Sequence, residues 1–230
     1  MSIPSNPDTI IVKNEFYPHG LREIDLWDHY QKYKKEILKE VQGRDLFFVL
    51  KVGDEGIVYR HGKISKFIRL NESNYDKLIS GRTLSIHSTM KRTENIMIVD
   101  IDAMYFPAAK EATMDVYNLM KTEDFISNVS IRFTGKSSFH IFCNLKIKAN
   151  IDLIRKKLKD ILTGADLSSS YTIDQIRKTP NVTNLDLSPD KFRGGFITLG
   201  SLSLWGLKCM EVKPWDISDF KKEDAKIGGL

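Results

Sequence analysis

The chain has 230 residues, 41% of them hydrophobic and 28% charged, and a formal net charge of +5. That length supports one sizeable core or at most two small domains, and the composition is that of an ordinary globular protein. No apolar run approaches the roughly 20 residues of a membrane span and no signal-peptide pattern opens the chain, so a cytoplasmic protein without a membrane partner is expected. Cys143 and Cys209 sit in apolar surroundings and read as reduced core thiols, and no Cys/His cluster has zinc spacing. An isoelectric point near 9.0 tilts the choice of partner toward a polyanion.

Residues 1–20 form a Pro- and polar-rich lead-in. From Asp25 to Val41 the spacing predicts an amphipathic helix, with Leu26, Tyr30, Ile37, Leu38 and Val41 on one face and Gly43 as its stop. Leu46–Val52, Gly56–Arg60 and Lys66–Leu70 read as short strands separated by Gly-containing turns. Ser73–Ser80 reads as a short helix closed by Gly81, and Thr83–His87 as a further strand. Pro107 opens a helix to about Met120, proline being favoured in the first helical turn. Val129–Thr134 and Ser138–Leu145 are strands around a tight Gly135-Lys136-Ser137 connection, and Ile151–Leu162 is a helix. The remainder is mostly β, with strands at Val182–Leu187, Gly195–Leu199 and Leu207–Val212. The expected organisation is a single α+β domain over 1–230, with 1–90 as a helix-and-strand module and 91–230 carrying the site.

The stretch that organises the chain is Ile-Met-Ile-Val-Asp-Ile-Asp, residues 96–102. Four apolar residues followed by two aspartates around an isoleucine predict a buried strand that ends at a site. Side chains alternate along a strand, so Asp100 and Asp102 emerge together while Ile101 turns inward. Two carboxylates that close repel unless a cation neutralises them, and hard divalent ions take oxygen ligands. The plain alternative is a strand that meets solvent with a chance Asp-x-Asp.

A second cluster, Arg132-Phe-Thr-Gly-Lys-Ser-Ser-Phe-His140, places backbone amides, hydroxyls, a lysine and a histidine around one turn. That set suits a phosphate chain, although the spacing is not that of a P-loop. An ordinary hairpin whose histidine packs on the sheet is the competing reading. A third is Asn184-Leu-Asp186-Leu-Ser188, followed by Lys191 and Arg193. Asp186, in an alternating strand pattern, is either a third acid converging on the same cations or a lone turn aspartate. Three acids, a phosphate-binding turn and a basic chain together describe metal-assisted nucleotidyl transfer, in which positioning and cations do most of the chemistry.

These residues resemble the archaeo-eukaryotic primase superfamily. Its Asp-x-Asp strand end, its Ser/Thr-Gly-x-x-x-x-His turn and its later aspartate appear in order as Asp100/Asp102, Thr134-Gly135 to His140, and Asp186. Within it the chain is most similar to the polymerase domain of end-joining repair ligases. Phe16-Tyr-Pro-His-Gly-Leu21, Ser85-Ile-His87, Arg193-Gly-Gly195, Gly200-Ser-Leu202 and Pro214-Trp-Asp216 extend the likeness over nearly the whole chain. The resemblance implies an α+β primase-type catalytic domain with a central RRM-like antiparallel sheet flanked by helices, residues 91–230 forming that RRM-like module. It implies Asp100, Asp102 and Asp186 as catalytic ligands of a two-metal Mn²⁺ or Mg²⁺ site, with no zinc. It places Thr134, Gly135, Lys136, Ser137, Ser138 and His140 on the triphosphate, with His87 and Arg193 nearby. The implied partners are a DNA template and primer, an NTP or dNTP, and a separate ligase, helicase or end-binding protein; the implied setting is the nucleoid of a prokaryote.

The chain departs from the family at several points. Ser138 stands where glycine is usual, and Ser203 where an arginine is common. The lysines that read a 5′-phosphate align with Asn14 and Glu23, leaving neighbouring Lys13 and Arg22 as candidate nucleic-acid contacts. The zinc motif of replicative primase small subunits is absent. Two other readings stay open. Asp100-Ile-Asp-Ala-Met-Tyr105 resembles the first motif of Y-family translesion polymerases, but there Gln175 stands where a glutamate is required. A non-catalytic nucleic-acid-binding module on a primase-like sheet is the other. Haloacid-dehalogenase phosphatases need Gly or Thr directly after the acids, where Ala103-Met104 stands.

Overall fold

The computed structural model describes residues 9–11, 16–17, 20–52, 55–59, 68–165, 183–187, 189 and 194–227, with backbone alone at 9–11 and 55–56. In chain order the elements are β1 (Thr9–Ile11), α1 (Glu23–Lys32), α2 (Lys34–Glu40), β2 (Leu46–Val52), β3 (Glu55–Tyr59), α3 (Tyr75–Leu78) and β4 (Thr83–Thr89). They continue with β5 (Thr93–Ala103), α4 (Phe106–Lys121), β6 (Ile126–Phe133), β7 (Phe139–Asn150), α5 (Ile151–Gly164), β8 (Thr183–Asp186), β9 (Gly195–Ile197) and β10 (Met210–Val212). Two compact units result, one from residues 1–89, 196–209 and 222–230, the other from 90–195 and 210–221.

The first unit is built on a five-stranded sheet of order β1-β3-β2-β4-β9. Its core gathers Leu26, Tyr30, Ile37, Val41, Leu46, Phe48, Leu84 and Ile86, none more than 1% exposed. Where periodicity predicts one helix over 25–41, the backbone breaks at Tyr33 (φ −97°, ψ 9°) into α1 and α2. The Tyr33 ring is held against His29, with centroids 4.8 Å apart, and its hydroxyl accepts a 2.9 Å hydrogen bond from Lys208 Nζ. The apolar stripe continues past the break, so the pattern gives no sign of it. Gly43 follows α2 at φ 67°, a left-handed conformation that glycine adopts without steric cost. The strand expected at 66–70 lies partly outside the described residues; Ile68 makes one isolated bridge to Leu46.

The second unit has the order β5-α4-β6-β7-α5-β8 in sequence and β6-β7-β5-β8 across the sheet, with every pair antiparallel. This is the βαββαβ arrangement of RRM-like folds, with β10 added antiparallel along the outer edge of β6. Alternation drives the layering. Met97, Val99 and Ile101 of β5, Ile131 and Phe133 of β6, and Phe139, Ile141 and Cys143 of β7 are fully buried. Against that face lie α4, through Ala109, Thr113, Val116 and Met120, and α5, through Ile151, Ile154, Leu158 and Leu162. Both helices bury residues at spacings of three or four, the period that keeps one stripe facing a sheet. At the start of α4, Phe106 stacks on Phe139 (5.6 Å, 12°) and Phe133 meets Phe220 edge-on at 5.0 Å. Each such buried ring contributes about 1.5–3 kcal/mol. Cys143 and Cys209 are buried free thiols, and no helix among the described residues is long and apolar enough to cross a membrane.

Candidate active site

With one face of β5 committed to the helices, Asp100 and Asp102 project from the other. The ladders on either side decide what joins them. Across one, Asp100 is paired with Asp186 and Asp102 with Asn184; across the other, Asp100 is paired with His140. His140 in turn is paired with Arg132, and Arg132 with Glu211 of β10. Directly opposed residues of an antiparallel pair share a face, with Cβ atoms about 4.5–5.5 Å apart. One row therefore crosses all five strands on the face opposite the helices: Asp186, Asp100, His140, Arg132, Glu211. Residue 186 shares its face with residues 100 and 102, the geometry that convergence of the three acids requires.

The titratable groups in this row are close to one another and partly buried. His140 Nε2 lies 3.3 Å from Asp100 Oδ1, with side chains only 7% and 20% exposed. Asp100 Oδ1 and His140 Nδ1 are nevertheless buried without a hydrogen-bond partner. Burial, then the neighbouring charge of Asp100, push the Asp102 carboxyl up to about 6; the charge of Asp186 adds to this, while Ser138 and His140 oppose it. The Arg132 guanidinium lies over the Phe142 ring, 3.7 Å from its centroid.

The turn between β6 and β7 is closed from within. Thr134 N and Thr134 Oγ1 both donate to the Ser138 carbonyl, at 3.1 and 3.0 Å. Gly135 follows with φ 90°, which a side chain would strain. The hydroxyl of Thr134 is thus spent on the turn. Ser138 Oγ reaches the other way and donates a 2.5 Å hydrogen bond to Asp102 Oδ1, a contact the family's glycine could not make. Lys136 is exposed, and Ser137 is buried at 8%.

The other candidates are on the first unit or outside the described residues. His87 sits on β4 in the first unit, stacked on Phe47 (4.7 Å, 5°), with Nε2 3.0 Å from Ser85 Oγ. Arg22 precedes α1 and grips Asp25 through two guanidinium contacts of 2.6 and 2.9 Å, holding that carboxyl below its ordinary value. Lys13 and Arg193 lie outside the described residues, as does Gln175 of the Y-family alternative. Two residues the sequence reading left unassigned belong to the site face, Arg132 and Asn184. Each is an even number of residues from an assigned one (Arg132 from His140, Asn184 from Asp186), which is the signal that would have placed them.

Among the described residues no three His, Cys, Asp or Glu side chains already form a metal cage. The donor set fits a hard divalent cation all the same. It is carboxylate oxygen throughout, one of those oxygens is buried without a hydrogen bond, and burial and the charge of Asp100 make the ionised Asp102 costly until a cation is present.

The fold is therefore α+β, an RRM-like antiparallel sheet flanked by helices, with carboxylates gathered on the face opposite them. No protein-family model and no curated protein matches the chain. Among solved structures it is similar to the polymerase domain from Mycobacterium tuberculosis Ligase D in complex with DNA, with a TM-score of 0.70 over 91% of this chain and 88% of that one. Sequence identity is 11%. The chain shares the fold of that domain.

Proposed function

We propose that the chain is a metal-dependent, template-directed nucleotidyltransferase, a primase-polymerase that joins nucleoside monophosphates to a 3′-hydroxyl. The observation that supports this most is the position of Asp100, flanked across both neighbouring strands by Asp186 and His140, with Asp102 two residues along the same face. In this reading Asp100, Asp102 and Asp186 hold Mn²⁺ or Mg²⁺. When bound, the cations neutralise the developing phosphoryl charge and lower the cost of ionising the attacking hydroxyl. The chain's own part is positioning. Ser138 fixes the Asp102 carboxylate, the closed 134–138 turn presents Lys136 and its amides to the triphosphate, and His140 and Arg132 supply donors beside the acids. A net charge of +5 accords with a nucleic-acid partner.

The test is nucleotide incorporation by the purified chain on a primed template and on an unprimed one, with Mn²⁺ or Mg²⁺ and with rNTPs and dNTPs side by side. Asp100→Asn and Asp186→Asn should each abolish incorporation. A chain that shifts DNA on a gel but incorporates nothing under any of these conditions is a binding module, and the proposal fails. A recessed end with and without a 5′-phosphate tests end-joining repair separately, since Arg22 is engaged by Asp25. Copurification with a ligase, helicase or end-binding protein would identify the process served.

A further inference from the structure

Strand β7 outlasts β6 on one side, and on the other its ladder with β5 is interrupted before resuming at Ala149. On one side β6 begins opposite Leu145, and the last backbone bond runs from Lys146 N to Phe125 O at 3.0 Å. On the other side the ladder with β5 jumps from Asn144–Ile96 to Ala149–Glu94. Among the described residues, 147 and 148 therefore keep strand conformation with no ladder partner, and the edge beyond the start of β6 is the open one. An open strand of this kind is a template for another chain.

The side chains along it alternate in kind. Leu145, Ile147 and Ala149 line an apolar groove of about 200 Å³, to which α5 contributes Leu153, Ile154 and Lys157. Ile147 is 74% exposed and Leu153 65%, so two of the six exposed large hydrophobic side chains among the described residues flank this one groove. Lys146 and Lys148 take the intervening positions and are exposed. Exposed positions of α5 add Arg155, Lys156 and Lys159 against Asp152 and Asp160; Glu123 and Asp124 precede Phe125 in the adjoining loop. The groove is smaller than the roughly 300–1,000 Å³ of a small-molecule site, and suits one or two anchoring side chains.

We propose that residues 145–149 and the groove beside them form a strand-addition site for an extended segment of a partner protein in which aliphatic residues alternate with glutamate or aspartate. The aliphatic side chains enter the groove beside Ile147. The carboxylates meet Lys146 and Lys148 across the new ladder, where opposite charges in direct register attract. The partner's backbone takes up the groups on the open edge beyond Lys146, whose own N–H is already held by Phe125. A nucleic acid would use the lysines but leave Ile147 and Leu153 uncovered, which is why a peptide is favoured. The proposal is independent of nucleotidyl transfer.

The test is fluorescence anisotropy of the full chain with a labelled peptide of about nine residues, alternating Glu with Ile, Leu or Val. Saturable binding is expected, weakened at least about tenfold by Ile147→Pro, which removes the aliphatic side chain at the groove and bends the strand, and likewise by Leu153→Asp. Both positions are exposed, and circular dichroism checks that the variants fold. The double variant Lys146→Glu/Lys148→Glu should lose the acidic peptide and gain the same peptide carrying Lys for Glu, a reversal that misfolding cannot produce. The proposal is overturned if the wild type does not bind the acidic peptide saturably, binds the Lys peptide equally well, or is insensitive to Ile147→Pro. It is also overturned if an oligonucleotide displaces the peptide, or if light scattering shows a dimer that Ile147→Pro abolishes, making a second copy the occupant.

Discussion

Replacing Asp100 by asparagine should separate stability from activity in opposite directions. The Asp102 carboxyl is displaced from 3.8 to about 6. Its folded value lies above its unfolded value, so between the two the folded chain holds the extra proton. The resulting penalty is nearly absent at pH 4, grows as pH rises toward 6, and is complete above it. About two pKa units correspond to about 3 kcal/mol of destabilisation at pH 8. Burial is the larger cause and the charge of Asp100 the next, so removing that charge should return about 1 kcal/mol. For a chain of this size that is a rise of about 2–4 °C in Tm.

The assay is thermal unfolding of wild type and Asp100→Asn at pH 8 and pH 4, in EDTA and in Mn²⁺. In EDTA at pH 8 the variant should melt higher, and at pH 4 the difference should shrink to a fraction. In Mn²⁺ the order should invert, because a ligand at 100 times its Kd adds about 2.7 kcal/mol to the state that binds it, and the variant has lost a carboxylate donor. An Asp100→Asn chain that melts lower in EDTA at pH 8, or gains as much from Mn²⁺ as wild type, would refute the account of this site as uncompensated charge awaiting a cation.

Three further outcomes are expected. Lys136→Ala and His140→Ala should chiefly raise the KM for nucleotide, with kcat falling less, as measured by steady-state incorporation. His29 is buried, lies near Lys208 and Lys32, and is held down at about 4 despite its 2.7 Å hydrogen bond to the Gly200 carbonyl. Its folded value is below its unfolded one, so stability should be full above pH 6.5 and fall by up to about 3 kcal/mol as pH drops toward 4. Urea unfolding followed by tryptophan fluorescence reads this, and His29→Gln should flatten the slope. Tyr30→Phe should cost about 1–3 kcal/mol in the same experiment, because it strands the Leu84 carbonyl and the Leu202 N–H, both bonded to a hydroxyl with no solvent exposure.

What could be read from the sequence follows the physics of each element. That Asp100 and Asp102 share a face is fixed by the two-residue period of a strand, and the buried 97–99 run says which way the rest points. The hairpin was nearly as legible: with 134 closing on 138, simple symmetry sets 132 against 140, and the register confirms it. Helix α5 carries its own stripe. The break at Tyr33 was not legible, because the apolar period runs through it and the Lys208 contact that holds Tyr33 comes from 175 residues away. The overhang of β7 was equally hidden, since Lys-Ile-Lys reads as the frayed end of a strand. Ser138 read only as a departure from the usual glycine, whereas its hydroxyl is spent on Asp102.

The pairing of residue 186 with residue 100 is the step no local pattern contains, because register between strands 86 positions apart depends on how the whole sheet closes. It has a consequence for the proposed chemistry. Read from β8 to β6, the row runs acid, acid, histidine, arginine before it reaches Glu211 on β10, so carboxylates and basic donors meet between Asp100 and His140. A nucleotide triphosphate with its cations has a matching division, metal on one flank and phosphate oxygens on the other. A sheet in which β8 slipped by one residue would turn Asp186 to the helix face and leave one flank short of a ligand. Activity in the proposed reaction is therefore sensitive to the register of the shortest strand in the βαββαβ core, and substitutions at Thr183 or Leu185 that loosen that register should lower incorporation without touching a single acid.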